Sequence, residues 1–284
     1  MINAKDVYMS AESSYEDADI VMFGVDYDGT CSFRPGTRFG PSAVRRASYG
    51  LETFSWSTEC DLETLSIFDR GDLGCPMGDS LETQRMIKET TAQILSDQKI
   101  PFMIGGEHSI SYPSIEAVYE VYPDLKVIQL DAHADLRETY MNNPYSHACV
   151  MNRVVKLCGS QRLIQWGIRS GTKEEFAFAK EHTLCLKADV EALKNAIKDF
   201  GSTPVYLTID VDVIDPSLLP GTGTPEPGGI TYTMFEEVIQ VLSSLNIVGL
   251  DMVELSPDYD HSGVSSVVVA KMVRQCLMMI GEKL

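Results

Sequence analysis

Six side chains in three short motifs could hold metal ions together. They are His108 in Gly105-Gly106-Glu107-His108-Ser109; Asp131, His133 and Asp135 in Asp131-Ala132-His133-Ala134-Asp135; and Asp210 and Asp212 in Asp210-Val211-Asp212. Side chains two apart on extended backbone point to the same side. Asp131 and His133 can therefore converge on one point, and Asp135 can follow as the chain turns. Asp210 and Asp212 repeat the spacing. Four carboxylates gathered in one place repel each other strongly unless a cation lies between them. An oxygen-rich set with two imidazoles is harder than a thiolate zinc site and fits Mn²⁺ best. Carboxylates shared between two ions would hold them about 3.5–4 Å apart and let them activate a water. Each piece alone is weak, since a lone D-x-D is usually a solvated turn and a lone histidine a satisfied polar group. The combination carries the reading.

Two further residues could act on a substrate. His147 could pass protons to a leaving amine, because an imidazole titrates near neutrality. It could equally cap the helix expected at 148–158. Glu254 ends an apolar strand, where a carboxylate could accept paired hydrogen bonds from a planar guanidinium group. Otherwise it would face solvent at a strand end. Glu107 could orient its neighbour His108. His182 and His261 lack such company and read as surface or structural residues.

Each motif follows a short apolar run. Strands are expected at Ile20–Val25, Leu65–Phe68, Ile100–Ile104, Leu125–Leu130, Leu163–Gly167, Thr183–Leu186, Val205–Ile209 and Ile247–Val253. Helices are expected at 41–49, 80–98, 110–121, 148–158, 172–181, 188–199, 233–245 and 263–282, with start signals at Asp79-Ser80 and Thr233. Alternation of near-continuous apolar strands with helices implies a parallel sheet covered on both faces. Sites in such folds lie beyond the carboxyl ends of the strands. All three motifs could thus meet in one crevice. No linker or repeat divides the chain, so residues 1–284 read as a single domain. The glycine- and proline-rich segments 34–41 and 220–229 look like ordered loops, and the second follows Asp212 closely enough to suggest function.

The chain has 284 residues and a formal net charge of −18. That charge argues against nucleic acid, which selects a basic face, and against an anionic membrane surface. It suits a small cationic substrate. The seven cysteines are odd in number, contain no C-x-x-C pair and read as reduced core thiols of a cytosolic protein. Residues Met1 to Asp6 show no basic leader before an apolar stretch. The apolar segment Val267 to Ile280 is broken by Lys271, Arg274 and Gln275, and reads as a packed helix.

Together these residues resemble the ureohydrolase family of agmatinases and arginases. The resemblance runs from Gly24-Val25-Asp26-Tyr27-Asp28 and Pro35-Gly36-Thr37-Arg38-Phe39-Gly40-Pro41 through the three metal motifs to Gly249-Leu250-Asp251-Met252-Val253-Glu254. It implies a three-layer α/β/α fold with an eight-stranded parallel sheet, and two Mn²⁺ per chain. One ion would be held by His108, Asp131, Asp135 and Asp210, the other by His133, Asp131, Asp210 and Asp212. Asp131 and Asp210 would bridge. The implied catalytic residues are Asp135, His147 as proton carrier and Glu254 as guanidinium holder. The implied reaction is agmatine to putrescine and urea, in polyamine metabolism, by a cytoplasmic homotrimer or homohexamer. Ala148 stands where many relatives have glycine, which changes no reacting group. Asp135-Leu136-Arg137-Glu138-Thr139-Tyr140 lacks the Asn of arginases, which favours agmatine over arginine. Arg137 keeps guanidinobutyrate open, and formiminoglutamate is a further alternative. Metal-dependent deacetylases share the general fold but commonly use an adjacent His-His pair, which is absent here. A silent scaffold would be expected to lack ligands.

Overall fold

The computed structural model describes residues 7–283. The residues read above for a leader, Met1 to Asp6, lie outside the described residues. Among the described residues ten strands form: β1 (Ile20–Gly24), β2 (Phe54–Ser55), β3 (Cys60–Asp61), β4 (Ile67–Asp72), β5 (Ile100–Ile104), β6 (Lys126–Leu130), β7 (Leu163–Trp166), β8 (Leu184–Leu186), β9 (Pro204–Asp210) and β10 (Asn246–Val253). Eight of them make one sheet in the order β4-β1-β5-β10-β9-β6-β7-β8, and every adjacent pair is parallel. β2 and β3 form a separate antiparallel hairpin that sequence patterning did not suggest.

The described residues also form eight α-helices, in chain order α1 (Gly40–Ser48), α2 (Ser80–Ser96), α3 (Ser111–Val121), α4 (Val150–Cys158), α5 (Lys173–His182), α6 (Val190–Ile197), α7 (Tyr232–Leu242) and α8 (Val264–Gly281). The central strands are apolar at consecutive positions because each face meets its own helical layer. In β1, Ile20 and Met22 join the core under α1, α6, α7 and α8. Val21 and Phe23 point the other way, toward α2. Further along that second face, α3, α4 and α5 cover β6 and β7. The architecture is the expected three-layer α/β/α sandwich.

Local chemistry sets the helix starts. Asp79 caps α2 through Glu82 N, Thr172 and Glu175 form a reciprocal capping box on α5, and Asp189 caps α6. α7 starts one residue earlier than expected, because Thr231 rather than Thr233 is its cap and accepts the Met234 N–H. β4 runs later than expected, into polar residues, because buried Asp69 there pairs with buried Arg45 of α1 at 2.7 Å. α8 has the length and apolarity of a membrane span, but most of it is buried against α1 and α7.

The strand order positions the site. The chain builds β4-β1-β5 outward on one side, then starts again with β6-β7-β8 on the other. β9 and β10 fill the middle. The carboxyl ends of β5, β10, β9 and β6 therefore lie side by side at the reversal of strand order, where a crevice must open.

Candidate active site

Those four strand ends deliver all six proposed ligands and Glu254. His108 follows β5 in a short 3-10 turn, Asp131 follows β6, Asp210 closes β9, and Glu254 follows β10. Both two-apart motifs use the same local device. Asp131 Oδ1 accepts the His133 N–H at 2.6 Å, and Asp210 Oδ1 accepts the Asp212 N–H at 2.9 Å. Each first aspartate thus bends the chain so that the second residue turns toward the same centre.

Two candidate ligand groups result. The side chains of His108, Asp131 and Asp135 offer donor atoms within 4.8 Å of one another, and so do those of Asp131, His133 and Asp212. His108 Nδ1 lies 3.1 Å from Asp131, 3.3 Å from Asp135 and 3.4 Å from Asp210. His133 Nδ1 lies 2.9 Å from Asp212 Oδ2 and 3.8 Å from Asp131 Oδ1. Asp131 is common to both groups. His108 Nδ1 and Asp212 Oδ2 are buried without a hydrogen-bond partner. A buried polar atom without a partner is costly. Two such atoms, one in each group and among carboxylates, fit a pair of hard divalent cations.

The electrostatics agree. Burial, then the charges of Asp212 and Asp135, push the Asp131 carboxyl up to about 7. Burial, with Asp212 and Asp131, drives Asp210 well above the carboxylate range. Burial opposes a charged His133, yet Asp212 and its neighbours carry it up to about 11. Burial would likewise raise Asp212, but the His133 charge holds it near 2. The carboxylates recruit positive charge from any source, and cations would supply it and displace protons.

Residues behind the ligands fix their orientation. His108 Nε2 lies 2.9 Å from Thr208 Oγ1, which donates to Asp251 Oδ1 at 2.6 Å. With its hydrogen committed there, Thr208 accepts from Nε2–H and leaves Nδ1 to face the carboxylates. Gln129 donates to Asp131 Oδ2 at 2.6 Å, and Gln165 donates to Gln129 at 2.7 Å. Thr208, Asp251, Gln129 and Gln165 are all fully buried. Sequence reading passed over them, although a lone polar residue inside an otherwise apolar strand was the available signal. Glu107 does not hold the His108 ring. It binds Thr30 and Ser109 instead, and the His108 backbone N–H donates to Glu254 Oε1 at 2.7 Å.

A cavity of about 230 Å³ opens beside the ligands. That is small, suiting a metabolite-sized molecule. His133, Asp135, Asp210, His147 and Glu254 line it, with Arg137, Tyr140 and Thr224. His147 sits in the 3-10 turn before α4 and makes no side-chain cap bond, so the capping alternative falls away. Glu254 is buried rather than solvated, and burial with the Glu107 charge pushes its carboxyl up to about 8. Asp135 and Glu254 adopt left-handed backbone, at φ 52° and 72°. Side-chain-bearing residues rarely hold that conformation, and it concentrates at functional sites. The loop 220–229 borders the cavity through Thr224. Arg169 donates to Asp212 O and Glu226 O, and Gly223 passes beside Glu254. His182 sits away from the centre, against Ser160 and Phe178, and His261 is exposed.

A model of the Arginase family matches residues 18–279. The chain is 42% identical over 276 residues to an agmatinase of Bacillus cereus, covering 96% of this chain and 95% of that protein. It is 38% identical over 247 residues to the N(1)-aminopropylagmatine ureohydrolase of Thermococcus kodakarensis, covering 85% of this chain and 84% of that protein. The solved structure of a candidate agmatinase from Clostridium difficile superposes with a TM-score of 0.93 at 46% identity, covering 95% of this chain and 99% of that one.

Proposed function

The chain belongs to the arginase family and is a ureohydrolase, and on that footing we propose that it hydrolyses agmatine to putrescine and urea with two Mn²⁺ per chain. The observation that carries this is the pair of His/Asp groups sharing Asp131 on the wall of a small cavity that Glu254 and His147 also line. His108 and Asp135 would hold one ion, His133 and Asp212 the other, with Asp131 and Asp210 between them. Bound there, the cations would acidify a water and stabilise developing negative charge.

The chain's own groups do the rest. Glu254 has Oε1 tied to the His108 N–H, so Oε2 is the oxygen turned to the substrate's guanidinium. A cationic guanidinium favours the ionised carboxylate and draws its pKa back down from about 8. Asp135 accepts a hydrogen bond from the attacking water. The water oxygen bonds to the guanidino carbon, and the bond from that carbon to the alkylated nitrogen breaks. Oxygen stays in urea, and both water hydrogens end on the departing amine. His147 delivers the proton that this nitrogen needs as it leaves.

Arg137 bears on the substrate's far end. Its Nε lies 3.4 Å from Glu175 Oε2, and its guanidinium stacks over Tyr140 at 4.5 Å. The cation at this rim is therefore compensated, which favours an ammonium tail over a carboxylate tail. The net charge of −18 favours the same dication. Urea release by Mn²⁺-loaded protein from agmatine, arginine and 4-guanidinobutyrate, assayed side by side, tests the reading. Agmatine alone should turn over. Preference for guanidinobutyrate would make Arg137 a carboxylate clamp, and urea from none would overturn the assignment. We also infer a cytoplasmic homotrimer or homohexamer in polyamine metabolism, supported by the family resemblance alone. Light scattering tests the assembly.

A further inference from the structure

Glu107 is buried, charged by nature and not a proposed ligand, so its partners need an explanation. Its Oε2 accepts the Thr30 backbone N–H at 2.7 Å, and its Oε1 accepts the Thr30 hydroxyl at 2.6 Å. Ser109 Oγ donates to Oε1 as well. The carboxylate thus grips Thr30 at both ends. Thr30 Oγ1 in turn lies 3.1 Å from the His147 backbone N–H and 3.2 Å from His147 Nδ1.

A hydroxyl has one hydrogen and two lone pairs. The Thr30 hydrogen is committed to Glu107, an acceptor at 2.6 Å. One lone pair receives the His147 backbone N–H. The remaining lone pair can only accept, so it requires a proton on His147 Nδ1. Ser146 Oγ, at 3.4 Å from the same nitrogen, is more distant and can accept too. Tyr140 packs edge-on against the ring at 5.9 Å and leaves the donor pattern unchanged.

We propose that Thr30, gripped by Glu107, is a positioning residue that fixes His147 as the Nδ1–H tautomer, leaving Nε2 as the nitrogen that exchanges protons at the cavity. This rests on the reading of His147 as the proton carrier. It adds that the loop after β1 sets the carrier's tautomer from outside the ligand cluster. The loops after β1 and β5 are locked for this purpose. Glu107 N donates to Tyr27 O, and a Cβ on Gly106 would meet that same oxygen at 1.8 Å.

Thr30→Val keeps the side chain's shape and removes the hydroxyl. Expected for the Mn²⁺-loaded enzyme is a fall in kcat of about 10-fold or more, bounded above by the roughly 10²–10⁴-fold that general acid–base catalysis supplies as a whole. KM for agmatine and bound Mn²⁺ should stay within about twofold. The kcat pH profile should shift, and Thr30→Ser should recover most of the rate. In a His147→Asn background, Thr30→Val should cost nothing more. If His147→Asn leaves kcat intact, the carrier reading itself fails. If His147→Asn lowers kcat but Thr30→Val does not, the positioning proposal alone fails. Equal losses in Thr30→Val and Thr30→Ser would also overturn it. Should Thr30→Val not fold, ¹⁵N-histidine NMR of the wild-type enzyme, loaded with a diamagnetic divalent cation, reads the tautomer directly. A proton on Nε2 rather than Nδ1 in neutral His147 would refute the proposal.

Discussion

Thr208→Val removes a single oxygen that touches no substrate, yet it should weaken metal binding. The Thr208 hydroxyl links His108 Nε2, at 2.9 Å, to Asp251 Oδ1, at 2.6 Å. Valine preserves the branch and volume and leaves both partners behind. Asp251 keeps Tyr206 OH at 2.7 Å, so it is only partly stranded. His108 Nε2 is stranded completely within a buried setting. An unsatisfied buried polar group costs about 1–3 kcal/mol, so Tm of the metal-loaded protein should fall by several degrees. Losing the partner that orients a ligating imidazole typically costs about 10–100-fold in metal affinity. Chelator-competition titration with Mn²⁺ measures this. The loss should concern one of two ions per chain, because His133 does not share the link. Activity at saturating Mn²⁺ should recover to within a few-fold. An unchanged Mn²⁺ affinity in a folded variant would refute the chain of reasoning from Asp251 through Thr208 to His108.

Other outcomes can be measured on the same preparation. Asp210→Ala should leave fewer than two Mn²⁺ per chain by elemental analysis. His147→Asn should lower kcat by about 10²-fold or more while metal content stays intact. Without added metal, stability should fall as pH rises from about 4 to 8. Asp131 and Glu254 bind protons more tightly folded than unfolded, with carboxyls raised to about 7 and about 8. His133, raised to about 11, extends the same sign to higher pH. Thermal melts in EDTA should show this slope and melts in Mn²⁺ should not. Equal slopes would argue against cations as the compensating charge. Gly106→Ala should reduce folded yield sharply, because its Cβ would overlap the Tyr27 carbonyl.

The parts of this molecule legible in sequence are those written in local pattern. Consecutive apolar residues in β1, β5, β6 and β9 announced strands buried on both faces. The spacing of Asp131, His133 and Asp135, and of Asp210 and Asp212, announced a shared centre. What was hidden depends on contacts far apart in the chain. Thr30 and His147 are separated by 117 positions, and His108 and Thr208 by 100. No window of sequence shows such pairs. Glu107 was misread for the opposite reason. Its neighbour His108 suggested a partner next door, whereas the turn at 108–110 sends the two side chains different ways. The β2–β3 hairpin was missed because its strands are two residues each, too short for alternation to register.

The placement of β9 and β10 has a consequence for how the protein is made. These strands come late in synthesis but occupy the middle of the sheet. Until they emerge from the ribosome, β5 and β6 are raw edges with unpaired backbone. The nascent chain then holds two incomplete half-sheets and no assembled candidate site, since Asp210, Asp212 and Glu254 have yet to be translated. Insertion of the last two strands would join the halves and complete the centre in one late event. Chains stalled before residue 204 should be prone to pair edge to edge.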